Sequence, residues 1–340
     1  RHSRVPPSMR RVYEENGGQS RMKQDVMVSV IVPTYKHERY IRQALDSVIG
    51  QQVNFSMEIL IGDDASTDNT LKIITEYKSK YPDTVYVIAN KTNLGASKNS
   101  YNLVKHAAGK YIATLEGDDF WIDQHKLQTQ VDFLEKHPQY IGCTHKFLLV
   151  DENGALLKKQ KLSWIKQKKC FTINDFDGIL MPGQPSTFVR RNIFREPKYD
   201  YSICYKMHRM ISDRVALLFY LQEGNFYLLS RPMSCYRIGI SPEAANITSI
   251  EYKRNIHADY RDFTFLCNME NYARNELNCN ISFERTKYYI FARSLLHSIE
   301  KKNQMTDTIK ILRDTTSPSK AVFFLPYNIL KVLIRHLIYY

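Results

Sequence analysis

The run Val28-Ser29-Val30-Ile31-Val32, closed by Pro33, is short, apolar and rich in β-branched residues, which predicts a buried strand. Three later segments have the same character, and they cover residues 57–62, 85–88 and 111–115. Apolar residues recur at helical spacing in the segments between and after them, within residues 38–49, 71–77, 97–108 and 123–134. Four alternations of strand and helix within about 110 residues predict an α/β fold with a mostly parallel central sheet flanked by helices.

Polar residues follow each predicted strand. They form the clusters Pro33-Thr34-Tyr35, Asp63-Asp64, Asn93-Leu94-Gly95 and Asp118-Asp119. In an open parallel sheet, ligands bind beyond the carboxyl ends of the strands. The four clusters therefore predict one binding site at that edge of the sheet.

The paired carboxylates suggest what this site binds. Asp118 and Asp119 are adjacent in sequence, and neighbouring carboxylates repel each other unless a cation or water separates their charge. Mg²⁺ or Mn²⁺ suits such oxygen ligands and can also bridge phosphate oxygens, although an Asp-Asp turn alone is common in any protein. Asp63 and Asp64 could accept hydrogen bonds from a base or a ribose, or could cap the helix that follows.

The glycine patterns that cradle phosphates are missing from the sequence. No G-x-G-x-x-G follows the first strand, and no G-x-x-x-x-G-K-[ST] occurs in the chain, which argues against a dinucleotide or P-loop site. A diphosphate would then need a metal together with side chains such as Lys98. A nucleotidyltransferase on a related sheet, which is one alternative, would need a Gly-rich basic loop after the first strand.

The charge balance favours an anionic partner. The 340 residues include 48 Lys+Arg and 35 Asp+Glu, for a net charge of +13. Nucleic acid, a phosphate-bearing substrate or an acidic membrane surface would all suit this charge. A nucleic-acid-binding protein is the alternative from another class, but the tyrosines do not interleave with arginine on one strand face, and no RRM or helix-turn-helix signature appears. We therefore expect no nucleic-acid partner.

Cysteine usage and targeting signals bear on the compartment. None of the six cysteines forms a C-x-x-C pair, which argues against a zinc ribbon or a thioredoxin-like site. We find neither a secretory signal nor a run of about 18 apolar residues. These observations predict a cytoplasmic protein. Residues 1–26 are rich in arginine and contain Gly17-Gly18, which predicts a flexible basic arm.

The C-terminal third has a helical pattern. We predict a helical extension over residues 241–319, which could also support a homodimer. Residues 320–340, KAVFFLPYNILKVLIRHLIYY, are dense in aromatic and aliphatic residues and are interrupted by Pro326 and by cations. This pattern favours a tail that lies in an anionic membrane interface, at the inner face of the cell membrane. A final helix packed on the protein is the alternative.

Four motifs in the sequence resemble those of the inverting family 2 glycosyltransferases of GT-A fold. The family forms are V-S-V-I-V-P-x-Y-N, V-D-D-x-S-x-D, N-x-G and a D-x-D or x-D-D metal motif. They are matched, in order, by residues 28–35, 62–68, 93–95 and 116–119. The resemblance is strong over residues 28–150 and fainter to residue 240. It implies a GT-A catalytic domain over 27–240, with a nucleotide-sugar half (27–122) and an acceptor half (123–240).

The resemblance also implies roles for individual residues. Asp64 would read the base, usually uracil, and Asp63 would support it. Asp118 and Asp119 would hold the nucleotide-sugar and a Mn²⁺ or Mg²⁺ ion, with Asp119 the more direct metal ligand. The implied nucleotide-sugar site further includes Pro33, Thr34, Tyr35, Asn93, Gly95 and Lys98. Lys36 replaces the Asn that usually follows the tyrosine, so no role is carried over to it.

An inverting transfer also needs a base that deprotonates the acceptor hydroxyl. In the family, an acidic residue at the start of a later helix does this, before an x-Y-R segment, and Asp213 and Arg237 match these positions. Asp213 could instead be a first-turn residue favoured by the helix dipole, and Arg237 either contacts the diphosphate or is a surface cation. The implied reaction moves a sugar from a nucleotide-diphospho-sugar, with a UDP-sugar favoured, to a hydroxyl of a glycan or lipid-diphosphate-linked acceptor in capsule- or O-antigen-type polysaccharide synthesis.

Overall fold

A computed structural model describes residues 26–196, 198–239, 257–300 and 305–339, and the side chains of residues 300 and 335–339 fall outside that description. The predicted basic arm therefore lies outside the described residues except for Val26. The start of the predicted helical extension, up to residue 256, is outside them as well.

The first half of the described chain is a layered α/β unit. Its strands β1 to β4 are Val28–Thr34, Met57–Asp63, Val85–Ala89 and Tyr111–Thr114, and its helices α1 to α4 are Ile41–Ile49, Thr70–Lys80, Ala96–His106 and Lys126–Lys136. The four strands lie in the order β3-β2-β1-β4, and all three pairings are parallel. This arrangement confirms the alternation predicted from the sequence, because each parallel pairing needs a helical crossover.

The second half continues the same sheet with mixed strand directions. Its strands β5 to β9 are Phe120–Trp121, Tyr140–Val150, Cys170–Phe171, Val189–Arg191 and Asn225–Arg237. β8 runs antiparallel between β4 and β6, whereas β6 and β9 pair in parallel. The sheet is therefore parallel over β1 to β4 and mixed beyond them. The α/β fold with a central sheet, flanking helices and C-terminal helices, predicted from the sequence, is confirmed.

The remaining helices share one core with the second half of the sheet. Helices α5 to α11 are Ile203–Lys206, Asp213–Glu223, Ala258–Glu276, Glu284–Glu300, Met305–Asp314, Pro318–Phe323 and Leu325–Tyr339. Phe219 of α6 and Phe226 of β9 are buried in the same cluster as Phe263, Phe283 and Ile290 from the C-terminal part of the chain. The C-terminal helices thus pack directly on α6 and β9.

Buried ion pairs also tie the C-terminal helices together. Arg293 of α8 contacts Asp259 and Asp262 of α7, with 2.9 Å between its Nη2 and the Oδ2 of Asp262. Burial opposes a charged guanidinium, but the two carboxylates more than offset this and raise the pKa of Arg293. In the parts of the chain that the structure describes, no helix combines the length and the apolar character needed to cross a membrane.

A basic segment between β6 and β7 is held by one carboxylate. Asp175 lies 2.9 Å from the Nζ atoms of both Lys166 and Lys168. It also accepts hydrogen bonds from the backbone N–H and the hydroxyl of Thr172, which closes a reciprocal cap around the short helix Ile173–Asp175. Burial raises the pKa of Asp175, but these donors outweigh burial and leave it well below its usual range.

Candidate active site

The carboxyl ends of β1 and β2 are joined by hydrogen bonds. The backbone N–H of Asp64 donates to the carbonyl of Thr34 at 3.0 Å, and the backbone N–H of Lys36 donates to the hydroxyl of Ser66 at 2.9 Å. Lys36 is exposed and has a φ of +56°. That left-handed conformation is easier for Asn than for Lys, which gives a physical reason for the Asn that usually occupies this position.

Asp64 organises the next loop instead of facing an open pocket. Its carboxylate is buried and accepts hydrogen bonds at 2.8 Å from the backbone N–H groups of Leu94 and Gly95, and at 2.9 Å from the side-chain amide of Asn90. Both oxygens therefore already have protein donors. The expected contact between Asp64 and the base would have to compete with these hydrogen bonds.

The two carboxylate oxygens of Asp63 differ in their hydrogen bonding. Its Oδ2 accepts a hydrogen bond from the backbone N–H of Ser66 at 3.1 Å. Its Oδ1 is buried and has no hydrogen-bond partner among the residues that the structure describes. An orphaned buried acceptor is costly unless a ligand or water satisfies it, so Asp63 has an unsatisfied carboxylate oxygen, whereas both oxygens of Asp64 are satisfied.

An arginine between α5 and α6 covers the Asn93–Gly95 loop. The Nη2 of Arg209 donates to the Oδ1 of Asn93 at 2.7 Å, and the carbonyl of Arg209 accepts from the backbone N–H of Ser97. Gly95 has a φ of +88°, and a Cβ there would lie 2.5 Å from the Cγ of Arg209. A glycine is therefore required by both conformation and space, whereas nothing in the sequence pointed to Arg209.

Lys98 is placed against two aromatic rings. Its ammonium lies 3.6 Å from the ring centroid of Tyr205 and 5.3 Å from that of Tyr101. A hydrogen bond from Lys98 and its positive charge lower the pKa of Tyr205. Tyr101 and Tyr205 themselves pack with their ring centroids 4.9 Å apart. The expected contact of Lys98 with a diphosphate would have to replace this cation–π arrangement.

The acidic turn after β4 approaches β1 closely because Gly117 has no side chain. A Cβ at Gly117 would lie 2.7 Å from both the hydroxyl of Thr34 and the Nδ1 of His37. The turn therefore places Asp118 beside His37, with 4.0 Å between the Oδ2 of Asp118 and the Nε2 of His37. Asp118 is only partly buried, so its carboxylate remains accessible at this edge of the sheet.

Asp119, in contrast, is enclosed by the protein. Its Oδ2 accepts a hydrogen bond from the hydroxyl of Ser186 at 2.6 Å, and its Oδ1 accepts from the backbone N–H of Arg237 at 2.9 Å. Its exposed fraction is 1 %. Burial, and then the charge of Asp118, raise the pKa of Asp119 well above its usual range. The expectation that Asp119 is the more direct metal ligand therefore does not suit its surroundings, and Asp118 is the better placed of the pair.

Arg237 is likewise a buried structural residue and not a surface cation. Its Nε donates to the carbonyl of Asp118 at 2.8 Å, and its Nη2 donates to the side chain of Gln43 at 2.8 Å. Its Nη1 donates to the carbonyls of residues 151 and 152, and the guanidinium lies 4.4 Å from the ring centroid of Tyr40. We conclude that Arg237 shapes the acidic turn, because its donors are already engaged and cannot readily reach a diphosphate.

The structure brings Asp213 to the same acidic region. Burial, followed by the charges of Asp118, Asp119 and Asp213, raises the pKa of Glu116 well above its usual range. Burial also raises the pKa of Asp213 itself. Asp213 is thus within electrostatic reach of a turn that is almost a hundred residues earlier in the chain. Four carboxyl groups share a partly dry environment there, and this concentration of negative charge favours a cation.

The donor set fits a hard divalent ion that is completed by substrate oxygens. In residues 26–196, 198–239, 257–300 and 305–339, no group of three or more His, Cys, Asp or Glu side chains is arranged to hold a metal by itself. Mg²⁺ is commonly bound by one or two carboxylates together with phosphate oxygens and water. Asp118 can supply such a carboxylate, and Glu116 belongs to the same turn and interacts with it electrostatically.

The sequence alone gave no individual role to three residues of this region. His37, Glu116 and Ser186 contact or border the acidic turn, and Ser186 also accepts a hydrogen bond from the backbone N–H of Glu116 at 3.0 Å. Ser186 belongs to the polar segment 182–187, whose density of Pro, Gly, Gln, Ser and Thr was the only signal that could have indicated it. Its pairing with Asp119 depends on the antiparallel placement of β8, which local patterns do not predict.

Comparison with known proteins gives a consistent result. The family model described as "Glycosyl transferase family 2" matches residues 29–196. An uncharacterized glycosyltransferase of Mycoplasma genitalium is 30% identical over 211 residues, which cover 59% of this chain and 67% of that protein. The putative teichuronic acid biosynthesis glycosyltransferase TuaG of Bacillus subtilis is 35% identical over 136 residues, which cover 39% of this chain and 51% of that protein.

The fold similarity extends further along the chain. The crystal structure of S. aureus TarS 1-349 in complex with UDP-GlcNAc has a TM-score of 0.56 and 18% identity, and the match covers 90% of this chain and 89% of that chain. Some curated relatives are much longer than the matched region. Uncharacterized mycobacterial proteins that are 41% identical over 128 residues are covered over only 37% of their length.

Proposed function

The chain belongs to glycosyl transferase family 2, and from that premise we propose that it is an inverting enzyme that transfers a sugar from a nucleotide-diphospho-sugar to an acceptor hydroxyl. The observation that supports this proposal most directly is that Asp213 lies within electrostatic reach of the acidic turn Glu116–Asp119. The acidic turn follows β4, whereas Asp213 begins α6, far later in the chain. Such a junction can hold a donor on one side and an acceptor on the other.

In the proposed reaction, Asp213 acts as the general base. Its carboxylate takes the proton from the acceptor hydroxyl, and the hydroxyl oxygen forms a bond to the anomeric carbon of the donor sugar. The bond from that carbon to the diphosphate breaks on the opposite face, and the nucleoside diphosphate leaves with the electron pair. A carboxyl group with a raised pKa is a better base than an ordinary aspartate, because the ideal catalytic pKa lies near the working pH.

We assign recognition of the base to Asp63. Its orphaned Oδ1 could accept a hydrogen bond from a nucleobase N–H, while Asp64 keeps the Asn93–Gly95 loop in place. Pro33, Thr34 and Tyr35 stand at the adjacent end of β1 and would form a wall of the same pocket. A UDP-sugar is the favoured donor, and a solved structure of similar fold with UDP-GlcNAc bound supports this choice.

We further propose that a Mn²⁺ or Mg²⁺ ion is held by Asp118, with Glu116 nearby. A divalent ion would neutralise the charge that develops on the departing diphosphate. The chain's own contribution is to keep Asp118 accessible through Gly117 and to hold Asp119 and Arg237 rigidly behind it. The acidic turn would then present one mobile carboxylate on a fixed backbone.

For the acceptor, we propose a hydroxyl of a glycan, free or linked to a lipid diphosphate, in the synthesis of a surface polysaccharide. The similarity to a relative named for teichuronic acid biosynthesis supports a polysaccharide product. The capsule or O-antigen type of polymer is part of the same proposal.

The test measures donor binding and transfer in separate assays. We would titrate the protein with UDP-sugars with and without Mn²⁺ by calorimetry, and then follow release of UDP in the presence of glycan acceptors. We expect Asp213→Asn to retain donor affinity and to lose at least about 10³-fold in kcat, because the base is removed. The matched control is Asp200→Asn, an exposed aspartate before α5, which should behave as wild type. Unchanged transfer by Asp213→Asn would refute the role of the base.

A further inference from the structure

The outer face of the two last helices carries an unusual amount of exposed apolar surface. Phe323 at the end of α10 is 77% exposed, and Tyr327 and Leu330 of α11 are 65% and 57% exposed. Ile334 is 45% exposed, so that the four side chains recur every three or four residues. Within α11 this spacing places Tyr327, Leu330 and Ile334 on one side of the helix, and Phe323 is the last residue of the helix before it. We call these four residues the apolar ridge.

The ridge is not needed to attach the helices to the protein. The other side of α11 packs on α8 through Leu325, Val332 and the buried Asn328, which donates to the carbonyl of Phe324 at 3.0 Å. Ala321 of α10 is fully buried in the same core. One face therefore anchors the segment, while the opposite face exposes large aromatic and aliphatic side chains to water. Contiguous apolar surface of this kind marks an interaction site.

The charges around the ridge indicate the partner. Lys320 is exposed just before the ridge. Lys331 is an exposed residue that follows Leu330, and its ammonium lies at the border with α8, 5.4 Å from the ring centroid of Tyr289. The whole chain carries a net charge of +13. Helices that lie in a membrane interface combine an apolar face that contains aromatic residues with flanking lysines, and they are attracted to anionic lipid. We infer that the apolar ridge docks on the surface of an anionic lipid bilayer.

A second copy of the chain is a less suitable occupant. In a twofold-symmetric dimer through the ridge, each subunit would present the same patch to its partner. Lys320 and Lys331 of one copy would then approach the same lysines of the other. Repulsion between these like charges costs free energy, because the ridge contributes no acidic residue that could neutralise them. An anionic bilayer satisfies both the apolar side chains and the lysines.

This inference rests on the proposed function and adds the place where the enzyme would act. A bilayer on the ridge would hold the enzyme where a lipid-linked acceptor resides. The test does not involve sugar transfer, so a failure of the docking surface and a failure of the proposed reaction give different results.

The experiment is flotation of the full chain with vesicles of phosphatidylcholine alone, and of phosphatidylcholine with about 30 mol% phosphatidylglycerol. We expect binding to the anionic vesicles that weakens with added salt. The triple variant Phe323→Ser, Tyr327→Ser and Leu330→Ser should bind at least about tenfold more weakly. Leu156→Ser, which alters an apolar residue that is 65% exposed outside these helices, is the matched control and should bind as wild type.

Two further measurements keep the interpretation unambiguous. Lys320→Glu leaves the ridge intact, and it should reduce binding to anionic vesicles by about tenfold, because a cation near the surface is replaced by an anion. Light scattering reports the oligomeric state of each variant, and circular dichroism checks its fold. Absence of vesicle binding by the wild type would overturn the inference. The inference would also be overturned if the wild type were a dimer, the triple variant were a monomer, and both bound the vesicles equally well.

Discussion

Replacement of Asp64 by Asn should destabilise the protein, whereas replacement of its neighbour Asp63 should not. The Asp64 carboxylate has three donors, two of them backbone N–H groups at 2.8 Å. An amide can keep an oxygen on one side only. In the less costly orientation of the Asn side chain, its NH₂ group faces the buried backbone N–H of Gly95, which then has no acceptor. The side-chain oxygen still accepts the hydrogen bonds from Leu94 and Asn90, but it no longer carries a negative charge.

The magnitude follows from these contacts. An unsatisfied buried donor costs about 1–3 kcal/mol, and a hydrogen bond to a neutral acceptor is weaker by about 1 kcal/mol than one to a charged acceptor. Relief from burying a carboxylate offsets part of the sum. We therefore expect the free energy of unfolding to fall by about 2–4 kcal/mol in Asp64→Asn. Asp63→Asn can retain the single hydrogen bond from Ser66, so it should change stability by less than about 1 kcal/mol.

The two variants should also differ in ligand binding. In Asp63→Asn, loss of a charged acceptor for the base should weaken UDP binding by about 10- to 100-fold, which corresponds to a charged hydrogen bond of about 1.5–3 kcal/mol. Urea denaturation measures stability, and calorimetry measures UDP affinity. If Asp64→Asn unfolds like the wild type but loses UDP binding, while Asp63→Asn binds normally, the assignment of the base to Asp63 is wrong and Asp64 takes that role.

Three other predictions concern the site and its support. Asp118→Asn should be as stable as the wild type, but Mn²⁺ should no longer change its donor affinity, as measured by calorimetry. Asp119→Asn should lose about 1–3 kcal/mol of unfolding free energy in urea denaturation, because the buried donors around it lose their charged acceptor. Equal stability of the two variants would contradict the structural role of Asp119. Lys36→Asn should stabilise the protein by about 0.5–1 kcal/mol, since Asn tolerates the left-handed φ of +56° better, and a lower melting temperature would count against this. Asp175→Asn should cost about 1–3 kcal/mol at pH 7. The folded pKa of Asp175 is lowered, so its contribution is present above the unfolded pKa of about 3.9 and disappears as the pH falls through the folded value; a difference between wild type and variant that persists in acid would refute it.

The first half of the fold follows closely from local sequence patterns. The β-branched run at Val28 becomes β1, and the strands and helices predicted up to about residue 136 appear with ends shifted by only a few residues. Alternation of strand and helix also predicts parallel pairing, because the crossovers leave no shorter connection. The edge at which the polar clusters meet follows from the same rule.

The second half depends on tertiary contacts that local patterns do not contain. β8 has only three residues, yet it lies between β4 and β6 and carries the chain from Ser186 into the sheet. The roles of Asp64, Asp119 and Arg237 are set by hydrogen-bond partners far away in sequence. An Asp that binds a backbone loop and an Asp that faces a ligand look identical in a sequence, because the difference lies in the donors around them.

The hydrogen bond from Arg237 to Asp119 joins residues separated by 118 positions. During synthesis, the four parallel strands and their helices leave the ribosome long before β9 exists. Their contacts are mostly local, so this half can fold early, while the long-range pairing with β9 must follow. Arg237 donates two of the hydrogen bonds that hold the acidic turn, and these can form only after β9 has joined the sheet. A nascent chain that has only the four parallel strands therefore lacks a fully supported acidic turn, and we expect transfer activity to emerge only after β9 has joined the sheet.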